Sequence, residues 1–256
     1  MRIGLIGFGK TGKEVAAEVL KDPSCTLEWV LRKSEGDHGR FASQVLGFAG
    51  ERGQIFSAAS LDVARFLISH PVDVILDFST PEFLDHYGHA CRQGIKIVSA
   101  ISNYDEWQLS KLRKWGQVSA LLHSPNITLG INILMEASKL LQQILPQADI
   151  EIVEEHFREK KEVSGTAVRI ARNLGLEEER HINSIRVGGV VGRHEVIFGL
   201  PNQTIRLVHE SINRSAFGQG AIYAAKWLVN KSKGLYTMEQ VLSFRNLQHD
   251  SYASRL

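Results

Sequence analysis

Two rhythms of apolar residues divide this chain. Through the first ~125 residues, short apolar runs alternate with stretches of helical period. Residues 3–6 read as a strand, Gly7-Phe8-Gly9-Lys10-Thr11-Gly12 as a glycine turn, and residues 14–20 as a helix with Val15, Val19 and Leu20 on one face. Residues 27–31 read as a second strand, 61–69 as a helix, 72–78 as a third strand, and 81–93 as a helix opened by a proline near its first position. Strands at 95–98 and 118–122 around a helix at 105–115 complete a run of βαβ units, which predicts a parallel sheet.

An apolar-rich helix at 130–145 leads out of this region, and the rhythm then changes. A buried-looking strand at 150–153 and a helix at 167–174 precede three β-like runs, 182–187, 194–198 and 204–212, with Gly188-Gly189, Gly192 and Pro201-Asn202 as turn signals. That pattern predicts a mostly antiparallel sheet. A helix at 221–229 follows, and the polar stretch after it is expected to return to the first domain. The fold class expected is an α/β Rossmann-type dinucleotide-binding domain, residues 1–127 and 217–256, plus an α+β substrate and oligomerisation domain, residues 128–216.

Composition narrows the function classes. Thirty basic against 28 acidic residues leave a formal charge of +2, too balanced to advertise nucleic acid, so small anionic ligands are the better partner class. The two cysteines, Cys25 and Cys91, lie in apolar segments without metal-ligand spacing, and no metal is expected. No apolar run reaches the roughly 20 residues needed to span a bilayer, and no signal-like segment precedes the first glycines. A cytoplasmic setting is expected.

The glycine turn follows a strand and opens a helix, the context that makes GxGxxG a dinucleotide fingerprint. Gly7 permits the tight turn, Gly9 the approach of a pyrophosphate and Gly12 the packing of helix on strand. About 20 residues on, where an NAD site carries an acid, stand Arg32 and Lys33, which favours NADPH and leaves NADH possible. The alternative is a solvated basic pair.

The segment 149–167 joins the strand-like alternation to His156, Lys160 and the helix start Ser164-Gly165-Thr166. Ser164 is expected to cap that helix, whose first N–H groups would hold a carboxylate, while His156 and Lys160 offer proton donation to a hydride acceptor. The alternative is a charged loop at 158–162 with His156 merely ending a strand. Two further turns, Asp77-Phe78-Ser79-Thr80-Pro81-Glu82 and Ser124-Pro125-Asn126-Ile127-Thr128-Leu129-Gly130, follow strands at their carboxyl ends, where open α/β sheets bind ligands.

Taken together, these motifs resemble the 4-hydroxy-tetrahydrodipicolinate reductase (dihydrodipicolinate reductase) family of bacterial lysine and diaminopimelate synthesis. The resemblance rests on Asp77 to Glu82, Asn126 to Asn132, Glu151 to His156 with Lys160 and Ser164 to Ala167, and on Arg186-Val-Gly-Gly, Gly192-Arg-His194-Glu-Val and His209 to Arg214. It implies hydride transfer from a reduced nicotinamide to a cyclic unsaturated dicarboxylate, then protonation. His156 and Lys160 match the family's catalytic pair, and Phe157, Lys160, Ser164, Gly165 and Thr166 its substrate contacts. The cofactor contacts carry over to Gly7, Phe8, Gly9, Lys10, Thr11, Gly12, Arg32, Lys33, Phe78, Ser79, Ser99, Ala100, Ile101, Ser124, Pro125, Asn126 and Ile127. A homotetramer built through the sheet of the second domain is also implied.

Four departures stand out. Phe157 replaces the second His of the family's pair, one residue is missing between Lys160 and Ser164, where Val163 replaces the usual Pro, Ser99 to Ser102 replace a glycine turn, and the opening glycine turn is one residue shorter than in many members. A paralogue acting on another imine or amino dicarboxylate, and a nucleotide-sensing protein without catalysis, are the alternative readings.

Overall fold

The computed structural model describes residues 1–242, arranged as two compact units, residues 1–128 with 215 onward, and residues 129–214. The remaining residues, 243–256, which the sequence groups with the first domain, lie outside the described residues.

Seven parallel strands build the first unit: β1 (Arg2–Ile6), β2 (Thr26–Arg32), β3 (Gln54–Ser57), β4 (Val74–Asp77), β5 (Lys96–Ser99), β6 (Ala120–His123) and, after the second unit, a strand at Gly234–Tyr236. That last strand lies at one edge beside β6, and the order runs on through β5, β4, β1, β2 and β3. The chain therefore steps outward from β1 in one direction and from β4 in the other. Ligands bind at the carboxyl ends of the strands beside such a reversal. Ile3, Leu5, Val74 and Leu76 are wholly buried, as expected for central strands covered on both faces. β3 had no counterpart in the apolar rhythm, because it is four residues long with only Ile55 and Ser57 fully inward.

The first helix, Lys10–Lys21, buries Val15, Ala16, Val19 and Leu20. It starts earlier than its apolar stripe implied, at the residue after Gly9, so Gly12 lies in its first turn. A Cβ there would sit 2.0 Å from the Gly7 carbonyl oxygen, which explains the glycine by packing alone. The helix Ser215–Leu228 brings glycines to its contacts in the same way, Gly218 against Glu18 and Gly220 against the Ile127 carbonyl. The helix Glu106–Gly116 opens on a capping box in which Asp105 accepts from the Gln108 amide, a device worth about 1 kcal/mol. The stretch expected to be one helix at 81–93 begins as a 3₁₀ turn, Pro81–His86, and continues as Tyr87–Arg92.

In the second unit β7 (Asp149–His156), β8 (Ile182–Arg186), β9 (Arg193–Leu200) and β10 (Gln203–Glu210) form a sheet in the order β10, β9, β7, β8. β7 and β8 are parallel; the other two pairings are antiparallel. The expectation of a mostly antiparallel sheet thus holds for two of the three pairings, and the parallel pairing of β7 with β8 makes the sheet mixed. The helix Gly165–Leu174 carries the chain back to the start of β7 before β8 begins, a βαβ crossover that the turn signals around Gly188 did not reveal. Ile150, Ile152, Val196 and Phe198 pack one sheet face on that helix and on Leu129–Ile144.

Candidate active site

At the carboxyl ends of the first unit's strands lies a cleft of about 410 Å³ lined by Gly7, Phe8, Gly9, Arg32, Lys33, Phe78 and Ser79 among others. Gly7 has φ +93° and a Cβ on it would meet the Phe78 carbonyl oxygen at 2.5 Å, so only glycine makes this turn. Gly9 differs. No protein atom lies within 4 Å of where its Cβ would be, and it is the residue before the helix of Lys10–Lys21. The open space faces a helix start whose N–H groups and positive dipole end suit a phosphate. These residues fit a dinucleotide.

Arg32 does not reach out as a free cation. It donates to Asp37 at 3.0 Å, to the Gly36 carbonyl at 2.5 Å and to the Ser34 hydroxyl at 3.0 Å, and Asp37, held at φ +59°, also pairs with Arg40. The loop after β2 therefore fixes the guanidinium at the cleft wall beside Lys33. Thr80 and Glu82, from the turn at 77–82, line the same cleft, as do Ser34, Ala58, Phe83 and His86, which were not singled out from the sequence. Burial pushes the His86 imidazole below its ordinary pKa.

Beneath the turn at 77–80 is a buried network. Asp77, wholly buried, accepts from the Ser79 amide at 2.8 Å, the Ser79 hydroxyl at 2.6 Å and the Tyr87 hydroxyl at 2.7 Å. Tyr87 meets Tyr104 at 3.3 Å and Tyr104 meets Ser99 at 3.0 Å. Desolvation outweighs these hydrogen bonds and lifts Asp77 to about 6, and it also raises both tyrosines. Ser99 thus spends its hydroxyl inside the protein. Ala100 extends the ladder to the Asp77 carbonyl, the Ile101 carbonyl bonds the His123 ring, and Ser124 bonds the Ser99 carbonyl and the Asn126 carbonyl. Pro125 and Asn126 are half-buried and Ile127 is buried. Ser99 to Ile101 and Ser124 to Ile127 follow β5 and β6 at the same sheet edge as the cleft, and Lys10 and Thr11 open the first helix.

In the second unit, register explains where polar chemistry begins. One row across the helix-covered face is apolar: Ile182, Ile152, Val196 and Leu207 stand opposite one another on the four strands. Two residues further along β7 the row is Ser184, Glu154, His194 and His209, and beyond it Arg186 stands opposite His156. The alternation of β7 places Glu154 and His156 on the same face as the core.

Glu154 is wholly buried and takes five hydrogen bonds. One oxygen meets His156 Nδ1 at 2.5 Å and Arg186 Nη1 at 3.0 Å; the other meets Arg186 Nη2 at 2.6 Å, the Ser184 hydroxyl at 2.6 Å and the Ser164 amide at 3.2 Å. Burial alone would raise its pKa, but Arg186, Ser184, His156 and the Ser164 amide bring it down to about 2. Arg186 also donates from Nε to the Lys160 carbonyl at 2.8 Å and from Nη2 to the Glu162 carbonyl at 2.9 Å. Ser164 stands at the N-cap position yet makes no cap bond, against expectation: its hydroxyl meets His194 Nε2 at 2.8 Å. Desolvation, helped by the charges of His156 and His209, drops His194 to about 3. Gly165, like Gly9, has no atom within 4 Å of a would-be Cβ, so the helix start beside Thr166 has room at its side. Phe157 is 41% exposed.

The dihydrodipicolinate reductase family models match both parts of the chain, the N-terminal one over residues 1–127 and the C-terminal one over residues 130–242. This chain belongs to that family. Among similar proteins, the 4-hydroxy-tetrahydrodipicolinate reductase of Syntrophus aciditrophicus is 31% identical, with 94% of this chain and 97% of that protein covered. The namesake of Anaplasma marginale is 34% identical, with 94% and 99% covered. A dipicolinate-bound dihydrodipicolinate reductase from Paenisporosarcina shares the fold at a TM-score of 0.78 and 24% identity, covering 94% of this chain and 99% of that one. Membership makes the chain an oxidoreductase that uses a nicotinamide dinucleotide. No helix among the described residues is long and apolar enough to cross a membrane.

Of the family-matched residues, His156, Ser164, Gly165 and the loop bearing Lys160 are drawn together in the second unit by Glu154 and Arg186. Sequence reasoning gave neither of these two a role. The signal was present: Glu154 and His156 are two apart on a strand, hence on one face, and a buried acid demands a cation, which the register supplies as Arg186.

Proposed function

We propose that this protein reduces 4-hydroxy-tetrahydrodipicolinate to tetrahydrodipicolinate with loss of the hydroxyl as water, in lysine and diaminopimelate synthesis. The single observation that carries the reading is that each unit carries an open glycine-started helix, a dinucleotide cradle at Gly9 in the first and a carboxylate seat at Gly165 in the second, the latter beside the His156 and Lys160 machinery. The relatives' names supply the substrate.

The bound nicotinamide supplies a hydride. The residues from Gly7 to Gly12 hold the pyrophosphate, while Phe78, Ser79, Ser99 to Ile101 and Ser124 to Ile127 border the rest of the dinucleotide. Arg32 and Lys33 meet the 2′-phosphate, so NADPH is preferred over NADH; the Asp37 side chain that fixes Arg32 offers an acceptor to a ribose hydroxyl when NADH is used. Gly165 and Thr166 hold a substrate carboxylate at their helix start. Lys160 is the proton donor, and His156, with Nδ1 turned to Glu154, presents Nε2 to the substrate side. Phe157 lays an apolar edge where relatives have a donor.

The open face of the second sheet supports a homotetramer. Ile185 and Val208 are exposed on it at 43% and 50%, beside the ion pairs Arg193–Glu155, Arg193–Glu195 and Arg206–Glu195. Sedimentation velocity tests this part. Incubating the protein with NADPH and enzymatically made 4-hydroxy-tetrahydrodipicolinate tests the reaction: stoichiometric NADPH oxidation is expected, and no oxidation by protein that binds NADPH overturns it.

A further inference from the structure

The buried Glu154–Arg186 pair has no assigned part in the chemistry, yet beside bonds to Ser184 and the Ile185 carbonyl its contacts end on His156, the Ser164 amide and the Lys160 and Glu162 carbonyls. We infer that Glu154 and Arg186 are the positioning pair of this active site, Glu154 fixing the tautomer and direction of His156 and Arg186 fixing the backbone that carries Lys160. The inference rests on the reductase reading for what His156 and Lys160 do, but not for how they are held.

Three observations converge. The 2.5 Å contact from His156 Nδ1 to a carboxylate with no exposure places the proton of the neutral imidazole on Nδ1, leaving Nε2 as the exchanging nitrogen. Nε2 in turn faces Gly192, where a Cβ would stand 3.0 Å away, so position 192 is kept bare next to the one nitrogen the dyad leaves available. Arg186 spans from Glu154 to the carbonyls of Lys160 and Glu162, and Glu154 reaches the amide of Ser164, so one ion pair sets the imidazole, the lysine loop and the helix start together. A pair serving only to fill the core would not need its remaining donors on the loop between β7 and the helix.

Long-range ¹H–¹⁵N correlation on ¹⁵N-histidine-labelled protein, wild type and Glu154→Gln, tests this together with kcat and KM. In the wild type, neutral His156 should carry its proton on Nδ1. In Glu154→Gln that preference should be lost and kcat should fall by about 10²-fold, as when a partner behind a functional histidine is removed, with NADPH affinity within about twofold. Gly192→Ala, which leaves the ion pair intact and crowds Nε2, should lower kcat at unchanged His156 tautomer and serves if Glu154→Gln does not fold. A wild-type proton on Nε2, an unchanged tautomer in Glu154→Gln, or unchanged kcat in Glu154→Gln or Gly192→Ala overturns the inference. If the wild type itself does not turn the substrate over, the reductase reading fails, and the tautomer comparison still decides how His156 is held.

Discussion

Replacing Asp77 by Asn probes the buried network beneath the turn at 77–80 that lines the cleft. The carboxyl ordinarily titrates near 3.8 and is lifted to about 6 because desolvation outweighs its bonds to Ser79 and Tyr87. A folded pKa above the unfolded one means that the folded state holds the extra proton between these values. The stabilisation is fully present below the unfolded pKa and is lost as pH rises through about 6. The difference of about 2 pKa units, at 1.36 kcal/mol each, makes the ionised carboxylate cost the fold about 3 kcal/mol at neutral pH. Asn keeps the shape and an acceptor for Ser79 but carries no charge. All four tryptophans, Trp29, Trp107, Trp115 and Trp227, belong to the first unit, so urea unfolding followed by their fluorescence reports the right transition. Measured from about pH 4 to about pH 7.5, the stability of Asp77→Asn relative to wild type should rise by about 2–3 kcal/mol. A relative stability that does not change with pH would refute the reasoning, since Asp77 would then ionise at no cost.

The two glycines of the first turn should separate cleanly. Gly12→Ala, with its Cβ 2.0 Å from a backbone oxygen, should cost about 2–3 kcal/mol in thermal unfolding, whereas Gly9→Ala should stay within about 0.5 kcal/mol and lose NADPH affinity by titration calorimetry. Arg32→Ala should weaken NADPH about tenfold or more while leaving NADH nearly unchanged, in line with a charge-assisted bond of about 1.5–3 kcal/mol; equal losses for both cofactors would remove the 2′-phosphate argument. Lys160→Ala should bind NADPH as the wild type does and turn over about 10²-fold more slowly.

The fold was legible in the sequence where period and turn chemistry agree. Ile3 to Ile6 followed by Gly7 and Gly9 specifies a strand, a turn and a helix start, and the run from Val72 to Phe78 announces the central strand β4. Short inward alternation such as Ile55 and Ser57 carries too little signal for β3. The parallel pairing of β7 and β8 depends on where a crossover helix delivers the chain, which local pattern does not encode. Candidate site residues with a distinctive type and spacing, His156, Lys160, Ser164 and Gly165, were visible; the residues that hold them were not, because Arg186 lies 32 positions from Glu154 and meets it only through sheet register. Ser164 shows the limit of motif chemistry: it has the type and place of a cap, but buried His194 claims its hydroxyl.

Turnover of 4-hydroxy-tetrahydrodipicolinate with NADPH deuterated at the transferred position, read by mass spectrometry of the product, follows the proposed hydride itself. Carbon-bound deuterium should appear in tetrahydrodipicolinate in proportion to NADPH consumed. Consumption of the deuterated NADPH with no label in that product would contradict it.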